Sequence, residues 1–303
     1  MSPAAVALTG GTGFVGRHLR PALAGRPVWL LGRTPTELAP GERWLPLDLA
    51  GPVSLDGLPD GSVLCHLAYA AAAGPANIGY TRRLLDAVNA CPGVARVIVL
   101  SSVSVYGHWA TGRIDEATPC RPDTEYARTK LACERLWRER LRDGLPLTVL
   151  RPSTVVGRGG PGLAALVRDA LHRPASGILK KSLRRDHSVS FVAVSNVVAA
   201  VSFLLDRPGS PRECYIVAED HQPENAGYAA MQDAVRRIAG RAPLPSVPVP
   251  GWAVRPLAAA TGRPLRVRRT FSSEALRSIG YADAVPLLDE VRRAVVGAEG
   301  PGR

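Results

Sequence analysis

Short apolar runs alternate with longer amphipathic stretches along the first half of the chain. AAVALT, PVWLLG, RWLPLD, SVLCHLAY, RVIVLSS and LTVLRP are brief, often fully apolar and rich in β-branched residues, which predicts strands. A continuous apolar run, rather than strict alternation, is what a strand covered on both faces needs. Between several of these runs lie helix candidates. One starts at Phe14, a second is ANIGYTRRLLDAVNA, and a third is DTEYARTKLACERLWRERLRD, with apolar or small residues on one face. Strand and helix in this alternation predict an α/β fold built on a doubly wound parallel sheet.

After Arg151 the texture changes. VGRGGPG leads to a predicted helix near Leu163 to Leu171, FVAVSNVVAAVSFLL reads as a strand feeding a buried helix, and CYIVAE as a short strand. GRAPLPSVPVPG is too rich in proline for long regular structure, and FSSEALRSIG and VPLLDEVRRAVVG read as late helices. No internal repeat is present. The expected division is a nucleotide-binding domain over residues 1–153 and a smaller substrate-binding lobe over residues 154–303. About 189–206 are expected to return to the first domain.

Composition narrows the function. The 303 residues are 46% hydrophobic but only 5% aromatic, so the core is built from Ala, Val and Leu. The net charge is +12, and only Lys130, Lys180 and Lys181 are lysines, leaving 35 of 38 basic residues as arginine. These arginines are dispersed, and no zinc-finger, RNA-recognition or helix-turn-helix pattern accompanies them, so a nucleic-acid partner is not expected. An anionic small molecule such as a phosphorylated cofactor accounts for part of the charge equally well. Five scattered cysteines without a C-x-x-C pair fit a reducing cytosol better than a disulfide framework or a zinc site. The longest apolar run, VAVSNVVAAVSFLL, falls short of the roughly 20 residues that span a bilayer. A cytoplasmic protein without membrane or metal is expected.

Residues 8–19 read LTGGTGFVGRHL, a glycine turn between a predicted strand and a predicted helix. Gly11, Gly13 and Gly16 make G-x-G-x-x-G, and Gly10, Gly13 and Gly16 make G-x-x-G-x-x-G. In either register small residues let the backbone approach a pyrophosphate at a helix N-terminus. A second motif lies in EYARTK, where Tyr126 and Lys130 stand four apart on a predicted helix and share a face. A nearby ammonium favours the phenolate and lowers a tyrosine pKa from its usual value near 10, which suits general acid or base work. LSSVSVYG, at the end of a predicted strand, supplies hydroxyls to hold a substrate oxygen.

The chain resembles the extended short-chain dehydrogenases/reductases of the NAD-dependent epimerase/dehydratase kind. The matching pieces run in family order: TGGTGFVG, LPLDL, HLAY, NIGYTRRLLDA, LSSVSVYG, DEATPCRPDTEYARTKLACE and LRPSTVVG, over roughly residues 5 to 157. The resemblance implies a Rossmann-type sheet and the Gly10, Gly13, Gly16 register. It implies a catalytic set of Ser102, Tyr126 and Lys130, with Ser101 and Ser104 as nearby alternatives to Ser102. Tyr126 would exchange a proton with the substrate oxygen, and Lys130 would bind the nicotinamide ribose. The implied cofactor contacts are Gly10, Thr12, Gly13, Phe14, Val15 and Gly16 in the turn, Asp48 and Leu49 beside the adenine, and Leu67, Ala68, Tyr69, Asn77 and Pro152. For Asn77 an ordinary helix-cap role is the alternative.

Cofactor and chemistry follow from departures. An NAD site usually carries an acid at the end of the second strand, but here Gly32 stands there and Arg33 follows. No carboxylate repels a 2′-phosphate and a guanidinium is at hand, so NADP(H) is expected, with NAD(H) the alternative and Arg17 a second candidate contact. Dehydratases of the family carry an Asp-Glu pair after the catalytic Ser/Thr, where this chain has Val103 and Ser104, which disfavours elimination. The expected activity is NADPH-dependent reduction of a ketone, on a nucleotide-linked 4-ketosugar or a secondary-metabolite ketone. A sugar-nucleotide epimerase and a non-catalytic NADP(H)-binding regulator are the alternatives. Arg184, Arg185, Arg263, Arg266, Arg268 and Arg269 are candidates to hold a diphosphate. Against a sugar nucleotide, Val189 and Asn196 replace the family's usual Arg and Asp. Relatives often form homodimers through two long helices, here containing Arg82 to Val88 and Tyr126 to Leu136, although monomers occur.

Overall fold

The computed structural model describes residues 4–184, 187–207, 213–221, 227–261 and 267–296. Eleven strands occur among them: β1 Val6–Thr9, β2 Val28–Gly32, β3 Glu42–Pro46, β4 Ser62–His66, β5 Val94–Leu100, β6 Gly112–Ile114, β7 Leu147–Pro152, β8 Thr154–Val156, β9 Phe191–Ala193, β10 Cys214–Val217 and β11 Arg269–Phe271. The helices are α1 Phe14–Ala22, α2 Ala76–Ala90, α3 Glu125–Arg140, α4 Pro161–Val167, α5 Pro174–Leu183, α6 Val194–Leu205, α7 Tyr228–Ile238, α8 Gly251–Thr261, α9 Glu274–Ser278 and α10 Leu287–Val296.

Seven strands make one sheet in the order β10-β7-β5-β4-β1-β2-β3, with parallel registers from β7 through β3. Every residue of β1 and β4 is buried, as the continuous apolar runs demand. The order reverses at β1: the chain moves from β1 to β2 on one side, while β4 pairs on the other. Doubly wound sheets open a ligand crevice at such a switch point, outside the carboxyl ends of the strands.

The chain divides into two compact units. The first holds residues 1–105, 120–151 and 198–215, and the second 106–119, 152–197 and 216–303. The segment 106–119 thus belongs with the second unit, a division no change of texture in the sequence marks. In the first unit Leu64, Leu84, Leu85, Val88, Val97 and Trp137 form the centre of an aliphatic core around one indole. Arginine side chains there end helices. The Arg96 guanidinium donates to the carbonyls of Leu204 and Leu205 at 2.8 Å and of Arg207 at 2.6 Å, satisfying groups the end of α6 leaves open. Arg142 does the same for α2, donating to Val88 O at 3.0 Å and Cys91 O at 2.8 Å. Its own amide donates to Asn89 Oδ1 at 2.8 Å, and Asn89 Nδ2 donates to Arg140 O at 2.8 Å, so α2 and α3 are clasped at their C-terminal ends.

The second unit has its own core, including Leu163, Leu166, Phe191, Met231, Leu287 and Val291. Two short parallel ladders, β8 with β9 and β6 with β11, complete its sheet structure among the described residues. Asn196 lies at its centre with no exposed surface. It donates to Glu219 Oε1 and Val285 O, both at 2.8 Å, and accepts from Ala284 N at 2.7 Å and Val285 N at 3.0 Å. This amide is wholly committed to the fold.

Candidate active site

The turn after β1 is shaped by what surrounds its glycines. Gly10 has φ +73°, and a Cβ there would stand 2.7 Å from Ala68 N and 2.9 Å from Leu67 C. A Cβ on Gly16 would collide with the Gly10 carbonyl oxygen and lie 2.7 Å from Gly11 Cα. Gly11 is less constrained, its Cβ meeting the side chains of Leu30 at 3.0 Å and Leu8 at 3.4 Å rather than main-chain atoms. Gly13 and Gly16 serve both registers, so Gly10 rather than Gly11 distinguishes them, and the packing singles out Gly10. Gly13 N donates to Gly10 O at 3.0 Å and caps α1, which has no side-chain cap and no acid in its first turn. Free amide donors, the positive end of the helix dipole and a wall too close for any Cβ fit a pyrophosphate. Thr12 is exposed beside this turn, and Phe14 and Val15 are half-buried.

Facing the turn is the segment after β4. Leu67 N donates to Thr9 O at 3.2 Å and Ala68 N to Thr9 Oγ1 at 3.3 Å. Thr9 Oγ1 in turn lies 2.7 Å from His66 Nδ1. Burial, and then the Lys130 ammonium, push His66 down to about 3, so its ring is neutral at physiological pH. Sequence reasoning passed over this Thr9–His66 link, because nothing local in either segment signals it. Asn77, buried on α2, donates to Ala70 O and Gly74 O at 2.8 Å and accepts from Ala70 N at 3.0 Å. Its amide is committed to the loop of residues 70–74, so it acts on the site by shaping that loop.

Thr124 caps α3 by accepting from Ala127 N at 3.1 Å, and this fixes the start of the helix that carries Tyr126 and Lys130. Tyr126 keeps 43% of its surface open. The Ser102 hydroxyl lies near enough to the Tyr126 phenol to favour its ionised form, while Ser104 N donates to Ser102 Oγ at 3.2 Å. Lys130 is buried and donates to Leu100 O at 3.0 Å. Between them stands Tyr69. Its ring meets that of Tyr126 edge-on at 5.2 Å, and Lys130 Nζ lies 4.3 Å from its centroid. Ser102, Tyr126, Lys130 and Tyr69 are therefore one patch, and the bridging position of Tyr69 is more than the wall contact expected of it.

The electrostatics correct one expectation. Lys130 was expected to lower the Tyr126 pKa, but burial raises it above the ordinary value and outweighs the opposing influence of the Ser102 hydroxyl. Lys130 spends its charge on a carbonyl and an aromatic face, and its own burial brings it down to about 8. Cys133 and Glu134 oppose that fall. One turn beyond Lys130, Glu134 and Arg151 form a buried two-pronged ion pair, Nη2–Oε2 at 2.6 Å and Nε–Oε1 at 3.1 Å, which ties α3 to β7. Pro152 is the buried last residue of β7.

At the other edge of the unit, Arg33 is exposed just beyond β2. Leu47 N donates to Gly32 O at 2.9 Å, bringing the ends of β2 and β3 together. Asp48 Oδ1 accepts from Ala50 N at 3.0 Å, and Leu49 O accepts from Arg83 at 3.1 Å, so both residues shape the loop after β3. In the second unit Arg184 and Arg269 lie near His187, and burial, followed by these two guanidinium groups, lowers it to about 4. Arg269 also donates to Gly107 O at 2.7 Å, and Val189 packs on the unit's core. Arg185, Arg263 and Arg266 lie outside the described residues. Among the described residues no helix is long and apolar enough to cross a membrane, and no group of His, Cys, Asp or Glu could hold a metal ion.

The sequence model of the NAD dependent epimerase/dehydratase family matches residues 6–218. The chain belongs to this family. Its members are generally NAD(P)-dependent oxidoreductases or epimerases. Over 181 residues the chain is 34% identical to a dTDP-6-deoxy-L-talose 4-dehydrogenase (NAD(P)(+)) of Kitasatospora kifunensis, covering 54% of this chain and 57% of that one. Over 169 residues it is 33% identical to a 2'-dehydrokanamycin reductase of Streptomyces kanamyceticus, covering 52% and 44%. The chain thus spans about half the length of these curated relatives. Among solved structures, MoeE5 in complex with UDP-glucose and NAD is 26% identical, with a TM-score of 0.70 over 97% of this chain and 98% of that one. A short-chain dehydrogenase/reductase superfamily protein from Agrobacterium tumefaciens with bound NAD, 23% identical with a TM-score of 0.68 over 97% of each chain, shares the fold.

Proposed function

We propose that the protein is an NADP(H)-dependent ketoreductase. The observation that carries this reading is Tyr126 and a buried Lys130 set on either side of the Tyr69 ring, with the Ser102 hydroxyl near enough to act on the Tyr126 phenol, in a chain with no acid at residues 103 and 104. Residues 10–16 would hold the pyrophosphate and Arg33 the 2′-phosphate. When bound, the reduced nicotinamide supplies a hydride to the carbonyl carbon. Tyr126, whose raised pKa keeps it protonated at neutral pH, gives its proton to the carbonyl oxygen. Ser102 holds that oxygen, and Lys130 sets the position of the Tyr69 and Tyr126 rings while reaching the nicotinamide ribose. The names of the relatives point the same way: a 4-dehydrogenase on a nucleotide-linked deoxysugar and a reductase on an aminoglycoside ketone both interconvert carbonyl and alcohol. The substrate class is a ketone on a sugar or a secondary metabolite, with nucleotide-linked 4-ketosugars first to be tried. Cytoplasmic location and a homodimer through α2 and α3 accompany this reading.

The test follows NADPH oxidation with nucleotide-linked 4-ketosugars and then with other ketones. Tyr126→Phe is expected to lower kcat by about 10²- to 10⁴-fold while NADPH affinity stays within about twofold. Near-normal kcat in this variant would remove Tyr126 as proton donor. NAD carried through purification, with turnover needing no added NADPH, would move the epimerase to first place.

A further inference from the structure

Residues 30 and 32 lie on one face of β2, the face against which the glycine turn packs through Gly11 and Leu30. The register with β3 pairs Leu30 with Trp44 and Gly32 with Pro46. Trp44 does not stay beside its own partner. Its indole leans along the strand to residue 32, where a Cβ would stand 3.1 Å from Cη2 and 3.5 Å from Cζ3. Gly32 is not among the glycines with positive φ, so its backbone conformation suits any residue. The backbone does not require glycine there, whereas the indole opposes anything larger.

In NAD sites an acid at this place grips the ribose 2′-hydroxyl. Such a carboxylate leaves the backbone through a Cβ, and at residue 32 that Cβ would press on the Trp44 ring, which would have to give way by a few tenths of an ångström. We infer that Trp44 is a specificity-determining residue for the adenosine half of the cofactor. It keeps the end of β2 bare, so that a 2′-phosphate meets no negative charge, and Arg33 supplies a positive one alongside. Trp44 acts by excluding a rival residue, a form of selection in which an obstacle matters as much as a contact. The inference rests on the NADP(H) reading above and assigns it a second residue.

Calorimetric titration with 2′,5′-ADP and 5′-AMP reads binding without turnover. The unaltered protein is expected to bind 2′,5′-ADP at least about tenfold more tightly than 5′-AMP. Equal affinities would overturn the NADP(H) reading, and with it the role of Trp44. Given that preference, Gly32→Asp alone is expected to lose 2′,5′-ADP and gain no 5′-AMP affinity, because the carboxylate cannot take its place. Gly32→Asp with Trp44→Ala is expected to bind 5′-AMP about tenfold more tightly than Gly32→Asp does and to prefer it over 2′,5′-ADP. If Gly32→Asp alone reverses the preference as fully as the double variant, Trp44 yields freely and the inference fails while the NADP(H) reading stands. Gly32→Ser covers the case in which the aspartate variant does not fold. It should lower Tm with Trp44 present and less so with Trp44→Ala, and equal losses in both backgrounds would overturn the inference.

Discussion

Two strand ends in the first unit carry glycine for different reasons. After β1, Gly10 and Gly16 are enclosed by main-chain atoms that cannot move without unmaking the turn. At the end of β2, Gly32 is opposed by one half-buried side chain. The first arrangement fixes that a dinucleotide can bind. The second, on the reading proposed above, concerns which dinucleotide is chosen, and it rests on one neighbouring side chain. Obligatory chemistry is written into the backbone, and choice is written into side chains.

The sharpest way to break this contrast is Gly16→Ala. Its methyl group meets the Gly10 carbonyl and Gly11 Cα, so α1 must shift; we expect a stability loss of about 2–4 kcal/mol and at least a 100-fold loss of cofactor affinity, read by thermal melting and calorimetry. A fully stable variant with ordinary affinity would show that the turn is softer than its packing implies. Next in size, if the exposed Arg33 guanidinium pairs with the 2′-phosphate as proposed, Arg33→Ala should weaken NADPH by about tenfold and leave NADH nearly unchanged. Equal losses of both cofactors would remove the electrostatic basis for choice at β2.

The smallest effect concerns Lys130. Its pKa in the folded protein is lowered from 10.5 to about 8, so the folded state binds that proton less tightly than the unfolded chain. Below pH 8 both states carry the charge, and the burden of burying it is complete. Between about pH 8 and 10.5 the folded state has released the proton and the unfolded state has not, so the Lys130 contribution to stability rises with pH. Urea unfolding of the protein without cofactor at pH 7 and pH 9.5, compared with Lys130→Met, should show a rise in the first that the second lacks. Parallel behaviour would mean that Lys130 is better solvated than its burial implies.

α2 and the strands of the large sheet were legible because their patterns are long or continuous, whereas the helix α7 was not foreseen. ANIGYTRRLLDAVNA is α2 to the residue, and all six apolar runs of the first half became strands of the large sheet. β6 and β8 are three residues each, too short for a period to show, and they exist because β11 and β9 pair with them. α5 hid behind Pro174, Ser176 and Gly177, and α8 behind the prolines before it and Pro256 within it. The helix expected over Leu163 to Leu171 is real but changes to a wider π-helical turn at Arg168. In the candidate site, the four-residue spacing of Tyr126 and Lys130 was visible. The position of Tyr69 between them was not, since it joins segments far apart in the chain. The direction of the Tyr126 shift was misjudged because spacing reveals a neighbouring charge but not the burial that outweighs it.

The clasp at Arg142 has a consequence for motion. It gathers carbonyls at the end of α2, and its own amide is held by Asn89, so neither helix end can fray without releasing the other. α2 and α3 should therefore exchange their amide hydrogens as one cooperative block. The helix that presents Tyr126 would then open only as rarely as its partner does, and its reactive group would keep its aim through the ordinary breathing of the loops around it.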